Sequence, residues 1–291
     1  MAVGKEILTK IRTTQSTQKI TKAMQMVSTS KMRKTQERMR LARPYAEKVR
    51  TVMGHLAAAN MSDTSLPILE KRDNIRRAAI ILITSDKGLC GGLNANVLKK
   101  FFALVQDYQQ KGIGVDVVCL GSKGLAAAQR VGLNVVASAT GLGDTPHLEV
   151  LLGSLKVVYE RYEAREIDIV HMVYSGFINT MKQEPRSEVL LPIGEDVLQV
   201  KPESKHSWDY IYEPDPLTVL AFLVRRYVES VIYQAVSDNM ASEQAARMVA
   251  MKAATDNAGN VIKELRLIYN KSRQAAITTE LSEIVAGAAA V

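Results

Sequence analysis

The stretch that decides the fold runs from residue 215 to residue 260 and reads DPLTVLAFLVRRYVESVIYQAVSDNMASEQAARMVAMKAATDNAGN. Asp215 is a favourable helix N-cap, and Pro216 suits the first helical position because its missing N–H would have no partner there. Beyond Pro216 only Gly259 and Gly287 interrupt the helical pattern. A continuous helix to that point would be roughly 105 Å long. The chain is therefore predicted to end in one very long helix.

Apolar residues recur along this segment at spacings of three and four. One stripe comprises Leu220, Val224, Tyr227, Val231 and Ala235, and a second comprises Val261, Ile262, Leu265, Ile268, Ser272 and Ala276. Such spacing, sustained over this length, is typical of a helix in a coiled coil. We therefore expect the helix to pair with a second long helix.

The N-terminus supplies the candidate partner. Residues 5–43 contain neither Pro nor Gly, and a helix over them would be roughly 58 Å long, with Pro44 as a potential kink. Its apolar residues are sparse, so this helix needs a neighbour to be stable. The predicted architecture pairs an N-terminal helix over residues 1–58 with a C-terminal helix over residues 212–291 as an antiparallel coiled coil.

Between the two helices, short apolar runs alternate with helical stretches. The runs are AAIILIT (78–84), VDVVCL (115–120), NVVA (134–137) and IDIVHMVY (167–174), and helical patterns lie near residues 93–111, 122–131 and 146–164. Strands alternating with helices predict a parallel sheet covered on both faces. Residues 75–205 are thus expected to form a Rossmann-like α/β domain.

The turn after the first run is rich in glycine, but its spacing does not match a phosphate-binding loop. It reads SDKGLCGGLN over residues 85–94, whereas a Walker loop requires GxxxxGK[ST] and a dinucleotide loop requires GxGxxG. The four histidines and two cysteines are dispersed, which disfavours a metal site or a disulfide scaffold. We therefore predict no catalytic residue, no cofactor and no metal ligand.

Positive charge is concentrated near the N-terminus. The formal net charge is +8, and residues 1–54 contain thirteen Lys or Arg against three Glu, a local charge of +10. An acidic protein, a nucleic acid or an anionic membrane surface would each suit such a segment. A basic coiled coil that binds nucleic acid is therefore the alternative interpretation. The longest apolar run, residues 217–224, is too short to span a membrane.

The last eight residues, IVAGAAAV (284–291), are apolar and small. Chain ends are normally polar, so a small apolar tip indicates insertion into a partner. We expect the residues Ile284, Val285, Ala286, Gly287 and Ala288 to form a bearing surface.

Four stretches resemble the gamma subunit of bacterial F-type ATP synthases. They are ITKAMQMVSTSKMRK (20–34), SDKGLCGGLN (85–94), SEQAARMVAMKAATDNAGN (242–260) and ITTELSEIVAGAAA (277–290). The resemblance implies a non-catalytic central-stalk rotor, whose two terminal helices turn inside a ring of alpha and beta subunits. Rotation of the membrane c-ring would then be coupled to conformational change at the catalytic beta subunits. A peripheral location on the cytoplasmic face of the bacterial inner membrane is also implied.

The resemblance also implies contact residues and excludes others. By similarity, the alpha and beta subunits would contact Lys19, Lys22, Met24, Arg247, Arg273, Gln274 and Thr278. The c-ring would contact Tyr210, Tyr212 and Glu213, and the epsilon subunit would bind the α/β domain. No nucleic acid partner, no cofactor and no direct membrane insertion are implied.

Overall fold

The structure is a computed structural model that describes residues 2–60, 68, 70–72, 74–143, 148–194, 213 and 215–289. In chain order the elements are α1 (Ala2–Asn60), β1 (Arg77–Ile83), α2 (Leu93–Gln110), β2 (Gly114–Leu120), α3 (Ser122–Arg130), β3 (Asn134–Ala139), α4 (Leu148–Glu163), β4 (Ile169–Phe177), β5 (Gln183–Leu191) and α5 (Pro216–Ala289). They form two compact units. The first unit comprises Met1–Thr29 and Arg247–Val291, and the second comprises Ser30–Ala246.

The two long helices predicted from the sequence are confirmed. Helix α1 continues through Pro44. Helix α5 begins at the expected N-cap, because the Asp215 carboxylate accepts hydrogen bonds from the Thr218 amide at 2.9 Å and the Thr218 hydroxyl at 2.6 Å. These bonds satisfy a donor that the first helical turn would otherwise leave unpaired.

The second unit contains a five-stranded sheet in the order β3-β2-β1-β4-β5. The first four strands pair in parallel, with Ile81 of the central strand β1 opposite Val118 of β2 and Met172 of β4. The four strands that the sequence predicted are all present. The sheet therefore has the expected doubly wound character, with β1 in the middle.

Successive residues of β1 point to opposite faces of the sheet. Ile80 and Leu82 pack against α2 and α3, where Phe101 is fully buried. Ile81 and Ile83 pack on the other face, against α4 and the first part of α5. Burial on both faces explains why the parallel strands have continuous apolar sequences.

Both long helices contribute to the core of the second unit. Met53 of α1 is fully buried there. The buried residues of α5 in this core are Leu220, Val224, Val228, Ile232, Ala235, Val236 and Met240. The first apolar stripe was predicted to face a partner helix, but its neighbours are mainly the sheet and α4. Helix periodicity alone does not distinguish these two kinds of apolar neighbour.

Strand β5 was not predicted from the sequence. It pairs antiparallel with β4 at the edge of the sheet, so the sheet is mixed and not purely parallel. Its sequence, QEPRSEVLL, contains Pro185 and three charged residues. Pro and charges are typical of edge strands, because they discourage pairing with a further strand. Because the same residues interrupt any apolar pattern, the strand could not be predicted from the sequence.

A buried carboxylate holds together the edge of the sheet where the parallel strands begin. Asp116 of β2 is fully buried, and its oxygens lie 3.1 Å from Arg77 Nη1 and 2.9 Å from Arg161 Nη1. The Asn134 side chain donates a third hydrogen bond at 2.7 Å. One side chain thus links the first residues of three strands to the end of α4.

The opposite edge is organised by Asp86, in the glycine-rich turn after β1. Its carboxylate accepts hydrogen bonds from the Ser122 amide at 2.9 Å, the Ser122 hydroxyl at 2.7 Å and the Leu142 amide at 3.0 Å. Burial alone would raise the pKa of Asp86, but the bonds from Ser122 and Leu142 outweigh it and lower the pKa. The carboxylate therefore stays ionised at the N-terminus of α3.

We predict that Asp116→Ala destabilises the chain by about 2 to 4 kcal/mol, because two guanidinium groups and an amide lose their shared partner. Arg77 is partly exposed, so water compensates for part of the loss. Urea unfolding measures the free energy directly. Asp107→Ala, which removes an exposed carboxylate from an i,i+4 pair with Lys111, is the control and should cost below about 1 kcal/mol. Equal effects of the two changes would contradict the prediction.

We predict that Asp86→Asn costs about 1 kcal/mol near neutral pH, since the charge-assisted bonds from Ser122 and Leu142 weaken. A lowered pKa in the folded state means that this stabilisation is present above the ordinary value of 3.8 and is lost as the pH falls through the folded value. The difference in unfolding free energy between the two proteins should therefore shrink below about pH 4. A difference that grows on acidification would refute it.

Candidate functional site

The candidate site is the surface of the first unit, where the two chain ends pair. Ile7 and Ile11 of α1 pack with Ile262 of α5, and Leu265 and Tyr269 lie against this cluster. Further along, Gln18 and Thr21 of α1 meet Thr255 of α5. Because residue numbers rise along α1 while they fall along α5, the two helices run antiparallel, as predicted.

The seam between these helices is thin and partly polar. The hydroxyls of Thr21 and Thr255 lie 2.7 Å apart, and Gln18 Nε2 donates to the Thr255 carbonyl oxygen at 3.3 Å. A Cβ at Gly259 would lie only 3.0 Å from Gln18 Nε2, so glycine permits the close approach of the two helices. Directional polar contacts with few apolar ones set the register of the pair.

The polar character of α1 does not require a partner. The hydroxyls of Thr9, Thr13, Thr14 and Thr17 each donate to the carbonyl four residues earlier in the same helix. These groups are satisfied within the helix. The outward faces of α1 can therefore meet water or a protein without an unpaired hydroxyl.

The residues predicted to contact the alpha and beta subunits differ in exposure. Lys19 and Lys22 on α1 are exposed, and so are Arg273, Gln274 and Thr278 on α5, whereas Met24 is half-buried. Arg247 is only 8% exposed, so most of its side chain faces this chain itself. That burial was not predicted from the sequence, because arginine is usually found at the surface.

The residues predicted to contact the membrane ring precede α5 in the sequence. Tyr210 and Tyr212 lie outside the described residues. Glu213 is described and is exposed. Their proposed role therefore remains a prediction.

The end of α5 has no protein neighbour within the described chain. Every described side chain from residue 273 to residue 288 is exposed, including Ile284, Val285, Ala286, Gly287 and Ala288 of the predicted tip. A helix without a packed face is marginal in water, since most helix stability in proteins comes from tertiary packing. Packing against a further protein surface would stabilise this segment.

Further exposed aliphatic side chains lie on the first unit outside the tip. On α1 they are Ile20, Met26 and Val27, and on α5 they are Val261, Leu267, Ile268, Ile277, Leu281, Ile284 and Val285. Val261 and Ile268 belonged to the predicted coiled-coil stripe, but the helix turns them outward while Ile262 and Leu265 face α1. Their exposure was not predicted, because the predicted stripe included adjacent residues that cannot all face the same helix. Many exposed aliphatic residues on one unit indicate an interaction surface.

Catalytic and metal-binding features are scarce in the described part of the chain. His171 is buried, where burial lowers its pKa, and its ring nitrogen Nε2 lies 2.6 Å from the Tyr108 hydroxyl. Among described residues no group of three or more His, Cys, Asp or Glu could hold a metal ion. Within the glycine-rich turn, the Asn94 side chain forms hydrogen bonds with Ser85 and Cys90, so these three residues stabilise the turn itself.

Within the described ranges, none of the helices combines the length and apolarity needed to cross a bilayer.

Comparisons with known proteins agree with this architecture. The profile of the ATP synthase family matches residues 4–291. The chain is 75% identical to the ATP synthase gamma chain of Neisseria meningitidis serogroup A, over 100% of both chains. It is 69% identical to the ATP synthase gamma chain of Chromobacterium violaceum, again over 100% of both chains.

Solved structures share the fold. A chain in the Euglena gracilis mitochondrial ATP synthase (OSCP/F1/c-ring, rotational state 3) matches with a TM-score of 0.66 at 21% identity, over 99% of this chain and 94% of that one. A chain of the Tetrahymena thermophila mitochondrial ATP synthase (central stalk/c-ring) matches with a TM-score of 0.61 at 24% identity, over 81% and 99%. On the full-length sequence identity and the family match, the chain belongs to the family of ATP synthase gamma chains.

Proposed function

We propose that this chain is the central-stalk rotor subunit of a proton-translocating F-type ATP synthase. It couples rotation of the membrane c-ring to conformational change at the catalytic beta subunits and performs no catalysis itself. The single observation that carries the proposal is the end of α5, where residues 273–288 are exposed on every side. A hollow ring of alpha and beta subunits would enclose such a segment completely. The nucleic-acid-binding alternative gains no support from the family.

The surface of the first unit suits a partner that must release it repeatedly. Lys19, Lys22, Arg273, Gln274 and Thr278 are exposed polar residues, and contacts of this kind contribute about 0 to 1 kcal/mol each. Many weak contacts can be exchanged one after another as the shaft turns. A deep apolar interface would instead hold one angle.

Asymmetry provides the means of coupling. A shaft of two helices has no threefold axis, so it presents a different face to each of three equivalent sites. A partner shifts a conformational equilibrium only through differential affinity for its states. The face that carries Arg273 and Gln274 would therefore favour one conformation of the beta subunit it meets, while other faces favour others.

The proposed contacts with the membrane ring and the epsilon subunit belong to the second unit. The proposed contacts with polar loops of the c-ring are Tyr210, Tyr212 and Glu213, and Glu213 is exposed just before α5. The α/β domain is the proposed site for the epsilon subunit. These contacts place the protein at the cytoplasmic face of the bacterial inner membrane as a peripheral subunit.

We expect deletion of residues 284–291 to leave folding intact, because Ile284 and the described residues after it make no packed contact in the chain. The free energy of unfolding, measured by thermal denaturation, should change by no more than about 0.5 kcal/mol. ATP-driven proton pumping by the assembled enzyme should fall modestly. Loss of the folded state on deletion would show that the tip is part of the core and not a bearing surface.

We expect Arg273→Glu with Gln274→Glu to lower coupled ATP hydrolysis about two- to fivefold, because weak polar contacts turn repulsive or are lost. The matched control is Gln129→Glu with Arg130→Glu, a pair of the same residue types exposed on α3. Hydrolysis and proton pumping are measured in the assembled complex. Unchanged turnover in the α5 variant, or an equal loss in the control, would defeat the assignment of these contacts. Failure of the wild-type chain to co-purify with alpha and beta subunits would defeat the proposed function itself.

A further inference from the structure

Strand β4 has a residue, Ser175, whose main-chain groups are bound by two side chains of a helix. The Ser175 amide donates to Asn239 Oδ1 at 3.2 Å, and the Ser175 carbonyl oxygen accepts from the Ser242 hydroxyl at 3.0 Å. Asn239 and Ser242 lie on α5, three residues apart and thus on one face of the helix. Both are buried, with exposures of 2% and 0%.

Pairing with the neighbouring strands is limited at Ser175. Strand β1 pairs with β4 only as far as Val173, so it ends before Ser175. On the other side Ser175 lies opposite Pro185 of β5, and proline has no N–H to donate. Helix α5 supplies a side-chain acceptor for the Ser175 amide and a side-chain donor for its carbonyl oxygen.

The rest of the contact between α5 and the sheet is apolar. Val236 and Met240 lie in the same core cluster as Met172 and Tyr174 of β4. Apolar burial resists separation of the two surfaces, but it is non-directional. The bonds to Ser175 depend on both distance and angle, and breaking them leaves buried main-chain groups unpaired. They distinguish one register of the helix on the sheet from its neighbours.

We propose that Asn239 and Ser242 are positioning residues that lock the rotational register between helix α5 and the α/β domain, so that torque passes between them without slippage. The inference rests on the proposed rotor function. Deletion of either hydrogen bond should raise about fivefold the population of molecules in which α5 is displaced from its register on the sheet. Apolar packing retains the folded state in the single variants.

The chain offers a closely matched control. Ser237 lies in the same helix, is only 2% exposed, and its hydroxyl has no hydrogen-bond partner within the described part of the chain. Ser237→Ala therefore removes the same atom as Ser242→Ala from an equally buried site without affecting Ser175. Any effect of general core perturbation should appear in both variants.

The test uses the soluble head complex of alpha, beta and this chain, with the head immobilised and stalled. A probe attached through the substitution Gln110→Cys, at an exposed position of the α/β domain, reports the angular fluctuation of that domain. Ser242→Ala and Asn239→Ala should broaden the angular distribution or add a displaced peak, whereas Ser237→Ala should match the wild type. Hydrogen exchange of the Ser175 amide in the same complex should accelerate about fivefold in Asn239→Ala only.

The possible outcomes separate the two proposals. A wild-type complex that does not assemble or rotate would refute the rotor function. A wild-type complex that rotates normally, with angular distributions in Ser242→Ala and Asn239→Ala no broader than in Ser237→Ala, would refute the register lock alone. Variants whose Ser175 exchange rises without any change in angular distribution would also refute it, because the bonds would then be structural only.

Discussion

The structure depends on how the burial of helix α5 changes along its length. In the second unit its residues from Leu220 to Met240 lie in an apolar core with the sheet. In the first unit the burial narrows to a seam at Met251, Ala258 and Ile262, and after residue 272 every described side chain is exposed. One continuous helix therefore serves as a core element, as half of a pair and as an unpartnered rod. The free energy that holds each part decreases in the same order.

The sequence predicted those elements whose burial produces a simple period. The parallel strands are covered on both faces and appear as continuous apolar runs, and the long helices lack Pro and Gly over most of their length. Strand β5 was not predicted, because Pro185 and the charged residues of this strand are typical of an exposed edge and break the apolar pattern. The second predicted apolar stripe also included too many residues. Val261 and Ile262 are adjacent in the sequence, and only the rotation of the helix in the structure decides which of them faces α1.

Parts of the site were less accessible to sequence reasoning. The exposed positions of Lys19, Lys22, Arg273, Gln274 and Thr278 agree with their expected place on the surface, but the residue types alone do not identify a partner. Burial of Arg247 follows from packing that no local pattern reports. Asn239 and Ser242 bind main-chain atoms of Ser175, and any residue at position 175 other than proline offers the same N–H and C=O. Such a contact leaves no signature in side-chain chemistry.

A rotor has to satisfy two opposite mechanical requirements. At the proposed contacts with the stationary ring the rotor must leave each angle easily, and exposed side chains such as Lys19 and Gln274 suit this because water can replace a broken contact. Where torque enters the shaft, no register may slip, and there water cannot compensate for a lost bond because Asn239 and Ser242 are buried. The same type of interaction, a hydrogen bond, is thus weak in the first place and decisive in the second. Solvent access sets the difference, and the burial gradient along α5 distributes the two behaviours along one helix.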